Sequence, residues 1–154
     1  MTLVETLVYG LHLLFAALWV GSVAFVALVV LPLAREGGLN ATPLGALVAK
    51  LRTVSRASAV VLLLSGGHTA GTAYTVDSLF GSGRGHLVVA MVALWVALAA
   101  LVEVGGGRVE DGTDDRKVRA PAREARGPLL ATTLVGALLL FDAAALTTNL
   151  PASL

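Results

Sequence analysis

The chain contains no cysteine, only two lysines and only two methionines among its 154 residues. The absence of cysteine excludes disulfide bonds, thiolate metal ligands, cysteine nucleophiles and covalent c-type haem attachment. Charged residues make up 14% of the chain, whereas a soluble domain usually carries about 25%. Hydrophobic residues reach 56%. This composition favours an integral membrane protein, and the scarcity of basic and aromatic residues argues against nucleic-acid binding.

Four apolar segments are long enough to cross a lipid bilayer as helices, which takes about 20 residues each. They cover approximately residues 6–34, 57–76, 86–102 and 128–146. None shows the alternation of barrel strands, so the sequence predicts an all-α polytopic membrane protein, a bundle of four transmembrane helices. We expect one membrane domain over residues 1–154. Because Glu5 and no basic residue precedes the first segment, we expect no cleaved signal peptide.

Positive charge is confined almost entirely to two of the connecting segments, 35–56 and 103–127. Of the eleven basic residues, only Arg84 lies elsewhere. Basic loops stay on the cytoplasmic side of a membrane, so this distribution predicts a cell-membrane protein with both connections in the cytoplasm and both termini outside. Within the second connection, the run Gly105-Gly106-Gly107 predicts the end of the third helix, and the charged residues that follow predict a solvated linker.

Histidines and isolated carboxylates lie towards the opposite side from the basic segments. A helical rise of ~1.5 Å per residue places His12 and His68 at one depth, roughly 10–13 Å below the outer boundary. His86 opens the third helix at that surface, Asp142 lies near the outer end of the fourth, and Glu5 precedes the first. An ionisable group within a span is costly to bury, which makes this end the predicted functional site.

Residue spacing indicates which helix faces carry these groups. Glu5, His12 and Trp19 recur every seven residues and therefore share one stripe of the first helix. On the second helix, Gly67 and Gly71 form a GxxxG pair, a pattern that lets helices approach closely. The same stripes are equally typical of plain helix packing.

Four kinds of function remain open for these residues. One is a copper site, with metal ligands drawn from His12, His68, His86 and Asp142. Another is haem b, with His12 and His68 as the two axial ligands from facing helices. A proton or ion pathway is the third, and a non-catalytic membrane subunit whose histidines only pack is the fourth. Because no hydrolase motif such as HExxH occurs, we favour binding or transport over an enzyme.

A family resemblance rests on the two ends of the chain. Residues 11–22, LHLLFAALWVGS, followed by a proline at 32, resemble the first helix of CopD-like (copper-resistance D) membrane proteins. Residues 145–152, ALTTNLPA, resemble the LTxNLPPA ending of that family. The resemblance implies an inner-membrane bundle linked to copper uptake or tolerance, a periplasmic copper-binding partner, and His12 and Trp19 as motif positions. With this resemblance, copper handling is the favoured function and haem b is the alternative. A homodimer is also expected for so small a bundle.

HemJ-type protoporphyrinogen oxidases have a similar first helix and a similar four-helix size. This second, more distant resemblance implies haem b and the oxidation of a porphyrinogen.

Overall fold

Helices make up nearly all of the computed structural model, which describes residues 2–148 and contains no strand among them. The elements in chain order are α1 Leu3–Phe25, a π-helical turn Val26–Val30, α2 Leu31–Glu36, α3 Ala41–Ala73, α4 Val76–Gly81, α5 Gly83–Asp114, α6 Arg119–Glu124 and α7 Arg126–Thr147. The all-α prediction is confirmed. Residues 149–152 of the C-terminal resemblance lie outside the described range.

The first three of these elements form one continuous rod. A capping box starts it: Glu5 N donates to Thr2 Oγ1 (3.2 Å), and Thr2 N donates to Glu5 Oε2 (2.7 Å). The π turn comes just before Pro32, which lacks an amide hydrogen and crowds the carbonyl four residues earlier. Widening the turn accommodates this proline without breaking the rod. Gly37 ends it with a φ of 88°, which only glycine adopts without strain.

The four long helices pack in a ring. α1 contacts α3 and α7, and α5 contacts the same two helices from the other side. The fully buried interior of the ring consists mainly of aliphatic side chains and one indole, including Trp19, Val23, Leu98, Val102 and Leu129. Successive long helices alternate in direction. The start of α1, the end of α3, the start of α5 and the end of α7 therefore share one end of the bundle.

Three helical stretches within residues 2–148 are long and apolar enough to cross a membrane: Leu3–Glu36, Gly83–Asp114 and Arg119–Thr147. Many of their large apolar side chains point outward, as expected for contact with lipid. Phe141, for example, is 75% exposed and Leu134 is 64% exposed. These properties indicate a membrane protein. The remaining long helix, α3, is not among the three, because serine, glycine and histidine interrupt its apolar part.

The helices extend well beyond the predicted spans. α3 already begins at Ala41, inside the predicted connection 35–56, and α5 continues to Asp114, inside the predicted connection 103–127. The prediction that the glycine run ends the third helix is wrong, and most of the predicted linker is helical. Hydropathy marks only the apolar part of a helix, and these helices continue with polar residues.

Close packing explains two of the three glycines in the run, Gly105 and Gly106, and also Gly112 further along α5. A Cβ on Gly105 would lie 2.9 Å from Leu129 Cγ, and one on Gly106 would lie 2.8 Å from Arg52 Cδ. A Cβ on Gly112 would run into the ring of Pro121 in α6. These glycines allow α3, α6 and α7 to approach α5. The conformational cost of glycine inside a helix is offset by that contact.

A four-residue ion network joins α3 to α5 near these glycines. Arg52 Nη2 lies 2.6 Å from Glu103 Oε2, and Arg52 also pairs with Glu110. Arg56 Nε lies 2.8 Å from Glu103 Oε1. Hydrogen bonds to Glu103 hold the pKa of both guanidinium groups above the usual value for arginine. The network fixes the register of α3 against α5 at the end of the bundle away from the histidines.

Two glycines of α5 provide a matched test of this packing. Gly112→Ala should lower the unfolding free energy, because the rigid ring of Pro121 cannot move out of the way. Gly107→Ala should stabilise the protein by about 0.5–1 kcal/mol, because nothing lies within 4 Å of its Cβ position and alanine is the better helix former. Denaturant unfolding in detergent micelles measures both. Equal effects of the two substitutions would contradict the described α5–α6 contact.

Candidate functional site

The central contact of the site is a hydrogen bond between α1 and α3. His12 Nδ1 lies 2.8 Å from Ser65 Oγ, and Ser65 Oγ donates its single hydrogen to the carbonyl oxygen of Val61 (2.7 Å). With its hydrogen directed to Val61, the hydroxyl accepts from His12, and we therefore assign the hydrogen of the neutral imidazole to Nδ1. The lone pair is left on Nε2, to which no other described residue makes a hydrogen bond. A histidine held in this way is prepared to act as a ligand through Nε2.

A large cavity lies beside this histidine, between the ends of α1, α3, α5 and α7. It measures about 440 Å³, and most of its lining is alanine, leucine, valine and glycine. A smaller cavity of about 140 Å³ shares five of its lining residues, among them His12 and Met91. The polar and sulfur-bearing residues around the large cavity are Tyr9, His12, Thr69, Tyr74, Arg84, Met91 and Thr147.

Gly66 sets the distance between the imidazole and α3. A Cβ on Gly66 would lie 3.1 Å from His12 Cε1, which is tighter than most real contacts. The neighbouring Gly67 has nothing within 4 Å of its Cβ position. Gly66, rather than the predicted pair Gly67 and Gly71, is therefore the glycine required for close approach. Gly67 and Gly71 are exposed, and beyond the adjoining residues of α3 no atom of residues 2–148 lies within 4 Å of the position that a Cβ would take on either.

Arg84 lies at the opening of the large cavity, where α5 begins. Its Nη2 donates to the carbonyl oxygen of Leu146 (2.7 Å), at the end of α7. Together with two tyrosines, it gives an otherwise apolar cavity one polar and cationic end. This arrangement suits a ligand with an apolar body and an anionic edge.

His68 lines a different cavity from His12. It is exposed, and it borders a space of about 240 Å³ together with Glu5, Tyr9, Thr69 and Thr72. It follows Ser65 by three residues, so it lies about 60° around α3 from Ser65, on the side that borders the second cavity. The two histidines are close in depth, but the structure does not bring them into one cavity.

The other predicted ligands are also held apart. His86 is exposed, and its Nε2 donates to the carbonyl oxygen of Phe80 (2.9 Å). Asp142 is half-buried, lines neither cavity beside His12, and has one carboxylate oxygen, Oδ2, without a hydrogen-bond partner between residues 2 and 148. Nowhere in that range do three histidines or carboxylates gather as a metal-binding group would require.

Trp19 belongs to the buried interior. Its side chain is 1% exposed, and its indole Nε1 has no hydrogen-bond partner in the described part of the chain. On α3, the hydroxyl of Ser58 is likewise buried and unpartnered. Trp19 follows His12 by seven residues and Ser58 precedes Ser65 by seven. Seven residues make about two helical turns, and α1 and α3 are antiparallel. Trp19 and Ser58 therefore lie at the same α1–α3 interface as His12 and Ser65, two turns deeper in the bundle.

Residues such as Ser65, Gly66, Met91 and Arg84 were not among the predicted ligands. Ser65 shares a face of α3 with Ser58, Thr69 and Thr72, so a search of the sequence for polar partners to His12 would have found it. Met91 and Arg84 lie on α5, where nothing in the sequence relates them to the first helix.

Comparisons with known proteins add no relative. No protein-family model matches the chain, and comparisons with curated proteins and with solved structures give no significant match.

A matched pair of serines on α3 tests the His12 contact. Ser65→Ala should lower the unfolding free energy by about 1 kcal/mol, because it removes the hydrogen bond to His12. Ser58→Ala should change it little, because that hydroxyl has no partner to lose. Denaturant unfolding in micelles gives both values. NMR shifts of the imidazole nitrogens should show a change of tautomer only in Ser65→Ala, and an unchanged tautomer would contradict the assignment.

Proposed function

We propose that this chain is a membrane bundle that holds a haem b-type macrocycle in the large cavity, with Nε2 of His12 as the axial ligand. The observation that carries the proposal is the hydrogen bond from His12 Nδ1 to Ser65, which leaves Nε2 as the ligating atom. Such an outer-shell partner is the usual companion of a metal-ligating histidine. A bound haem would supply one-electron redox chemistry.

Shape supports a macrocycle over a bare ion. A cavity of about 440 Å³ falls within the range of organic-ligand sites, and its mainly apolar lining suits a flat ring. Gly66 keeps α3 clear of the imidazole. Arg84, Tyr9 and Tyr74 at the polar end would bind the carboxylates of the ring edge. These residues fit the group, whereas the pairing of His12 with His68 has less support because the two line different cavities.

Met91 would supply a second ligand to the group. It lines both cavities beside His12, and imidazole and thioether together are an established ligand pair for haem. The role of the chain would then be electron transfer or, as the HemJ-type resemblance implies, porphyrinogen oxidation.

Copper handling is the second proposed function. The same two residues favour it, because imidazole and thioether together suit the soft ion Cu(I). For copper handling, the CopD-like resemblance implies a role in copper uptake or tolerance. The partner would be a periplasmic copper-binding protein or a second copy of the chain. A non-catalytic subunit without a cofactor is the third possibility.

We further propose that all four long helices cross the cell membrane, with the apolar part of α3 as the fourth span. The basic segments would then face the cytoplasm, and both termini and the His12 cavity would lie towards the outside. A cysteine placed in either basic segment should react only with membrane-permeant thiol reagents, and labelling by impermeant reagents in intact cells would contradict this orientation.

The absorption spectrum of protein purified from haem-replete membranes tests the proposal. A Soret band should be present, absent in His12→Ala, and retained in His68→Ala, which is the matched control on the other cavity. Met91→Leu should keep the band but change its axial-ligand spectrum. A colourless protein with stoichiometric copper would support the second function instead, and folded protein with neither would support the third.

Filling the cavity offers a second test with a nearby control position on α3. Gly66→Val should abolish the Soret band or the copper, because its side chain would occupy the space beside the imidazole. Gly71→Val should leave either cofactor bound, because its Cβ position is open and Gly71 lines neither cavity beside His12. Size-exclusion profiles check that both variants fold. Equal cofactor loss in the two folded variants would contradict this location of the site.

A further inference from the structure

Three arginines converge at the contact between α2 and α6, at the opposite end of the bundle from His12. Arg35 lies in the last turn of α2, and Arg119 and Arg123 lie one turn apart on the same side of α6. The two helices pack against each other. The guanidinium of Arg119 lies over Gly37, where a Cβ would come 2.8 Å from Nη2.

A pocket of about 160 Å³ opens within this group. Its lining residues are Pro32, Arg35, Glu36 and Arg123. Arg35 Nε is buried and has no hydrogen-bond partner among residues 2–148. Glu36 lines the pocket together with Arg35 and Arg123, and neither Glu36 nor any of the three guanidinium groups forms an ion pair within the described chain. A buried N–H without a partner is costly, so the arrangement indicates a ligand that accepts hydrogen bonds and carries negative charge.

The ion network on α3 and α5 provides a comparison, because its arginines only hold two helices together. There Arg52 and Arg56 share Glu103 and Glu110, and each guanidinium is paired. On α2 and α6 the three guanidinium groups outnumber the two carboxylates, Glu36 and Glu124, and no ion pair joins them within the described chain. This difference in charge balance indicates that the arginines of α2 and α6 bind a ligand and do not serve only to hold helices together.

The position of the pocket suits a phosphate at a membrane surface. The rod Leu3–Glu36 has 34 residues, which at ~1.5 Å per residue gives roughly 50 Å. A bilayer including its head groups is about 40–45 Å thick, so the last turn of the rod reaches the phosphate layer when the rod spans it. Planar guanidinium groups bind phosphate oxygens through paired hydrogen bonds.

We propose that Arg35 and Arg123, with Arg119 beside them, form a phosphate-binding site. Its ligand is the phosphodiester of an anionic phospholipid head group or a free inorganic phosphate. Lipid binding here would hold α2 and α6 together at the membrane surface. The site is separate from the His12 cavity and does not depend on any cofactor there.

The experiment uses the full-length protein in nanodiscs of phosphatidylcholine, with and without phosphatidylglycerol, and measures retained lipid by native mass spectrometry and the thermal unfolding midpoint. Phosphatidylglycerol should be retained roughly tenfold over phosphatidylcholine and should raise the midpoint. Arg35→Gln and Arg123→Gln should lose both effects. Lys50→Gln, an exposed basic residue outside the pocket, should keep them.

Inorganic phosphate added to phosphatidylcholine nanodiscs separates the two sources. A raised midpoint that disappears in Arg35→Gln, without any preference for phosphatidylglycerol, would support the site with free phosphate as its ligand. Arg123→Lys keeps the charge but not the paired hydrogen bonds, and its intermediate response would support the site even if a glutamine variant failed to fold. Unchanged responses in the glutamine variants, or equal losses in Lys50→Gln, would overturn the proposal.

Discussion

A helix in an apolar surrounding must satisfy its own backbone hydrogen bonds, and the rest of this structure depends on that constraint. It explains why the chain is helical almost from end to end. It also governs the hydroxyl side chains, because Thr69, Thr132 and Thr133 each donate to a carbonyl oxygen four residues back on their own helix. These hydroxyl groups therefore form hydrogen bonds within their own helices. In the apolar part of the bundle the helices pack through aliphatic side chains and glycines. The bond between His12 and Ser65 is an exception, since it crosses from one helix to another.

Much of the fold could be predicted from the sequence, and the errors have physical causes. Apolar length predicts where helices cross a bilayer, but it says nothing of how far they continue, which is why α5 was expected to end at a glycine run. Depth along a helix follows from counting residues. The direction around the helix follows only from packing, and for this reason His12 and His68 were expected to face each other. Met91 and Arg84 join the cavity through the fold of α5, which no local pattern encodes.

Arginine serves two purposes at one end of this bundle. Arg52 is positioned by carboxylates on the neighbouring helix, so its charge is neutralised within the chain. Arg35 has no such partner, although part of its side chain is buried. The arginines at this end are thus divided between those that hold helices together and those left for contact with the surroundings. At the opposite end, the main candidate ligand is the imidazole of His12, which lies beside an apolar cavity.

The π-helical turn Val26–Val30 adds one residue to a rod that would otherwise be a regular α-helix. Each residue turns a helix by about 100°, so the turn offsets the facing of α2 relative to α1 by that angle. The two halves of the rod can therefore meet different neighbours: α1 faces α3 with His12, and α2 faces α6 with Arg35. A relative lacking that single residue would carry the arginine to another side of the rod. A deletion in this short stretch would therefore rotate α2 relative to α1. Through this one turn, a change in chain length would alter which neighbours the two ends of the rod contact.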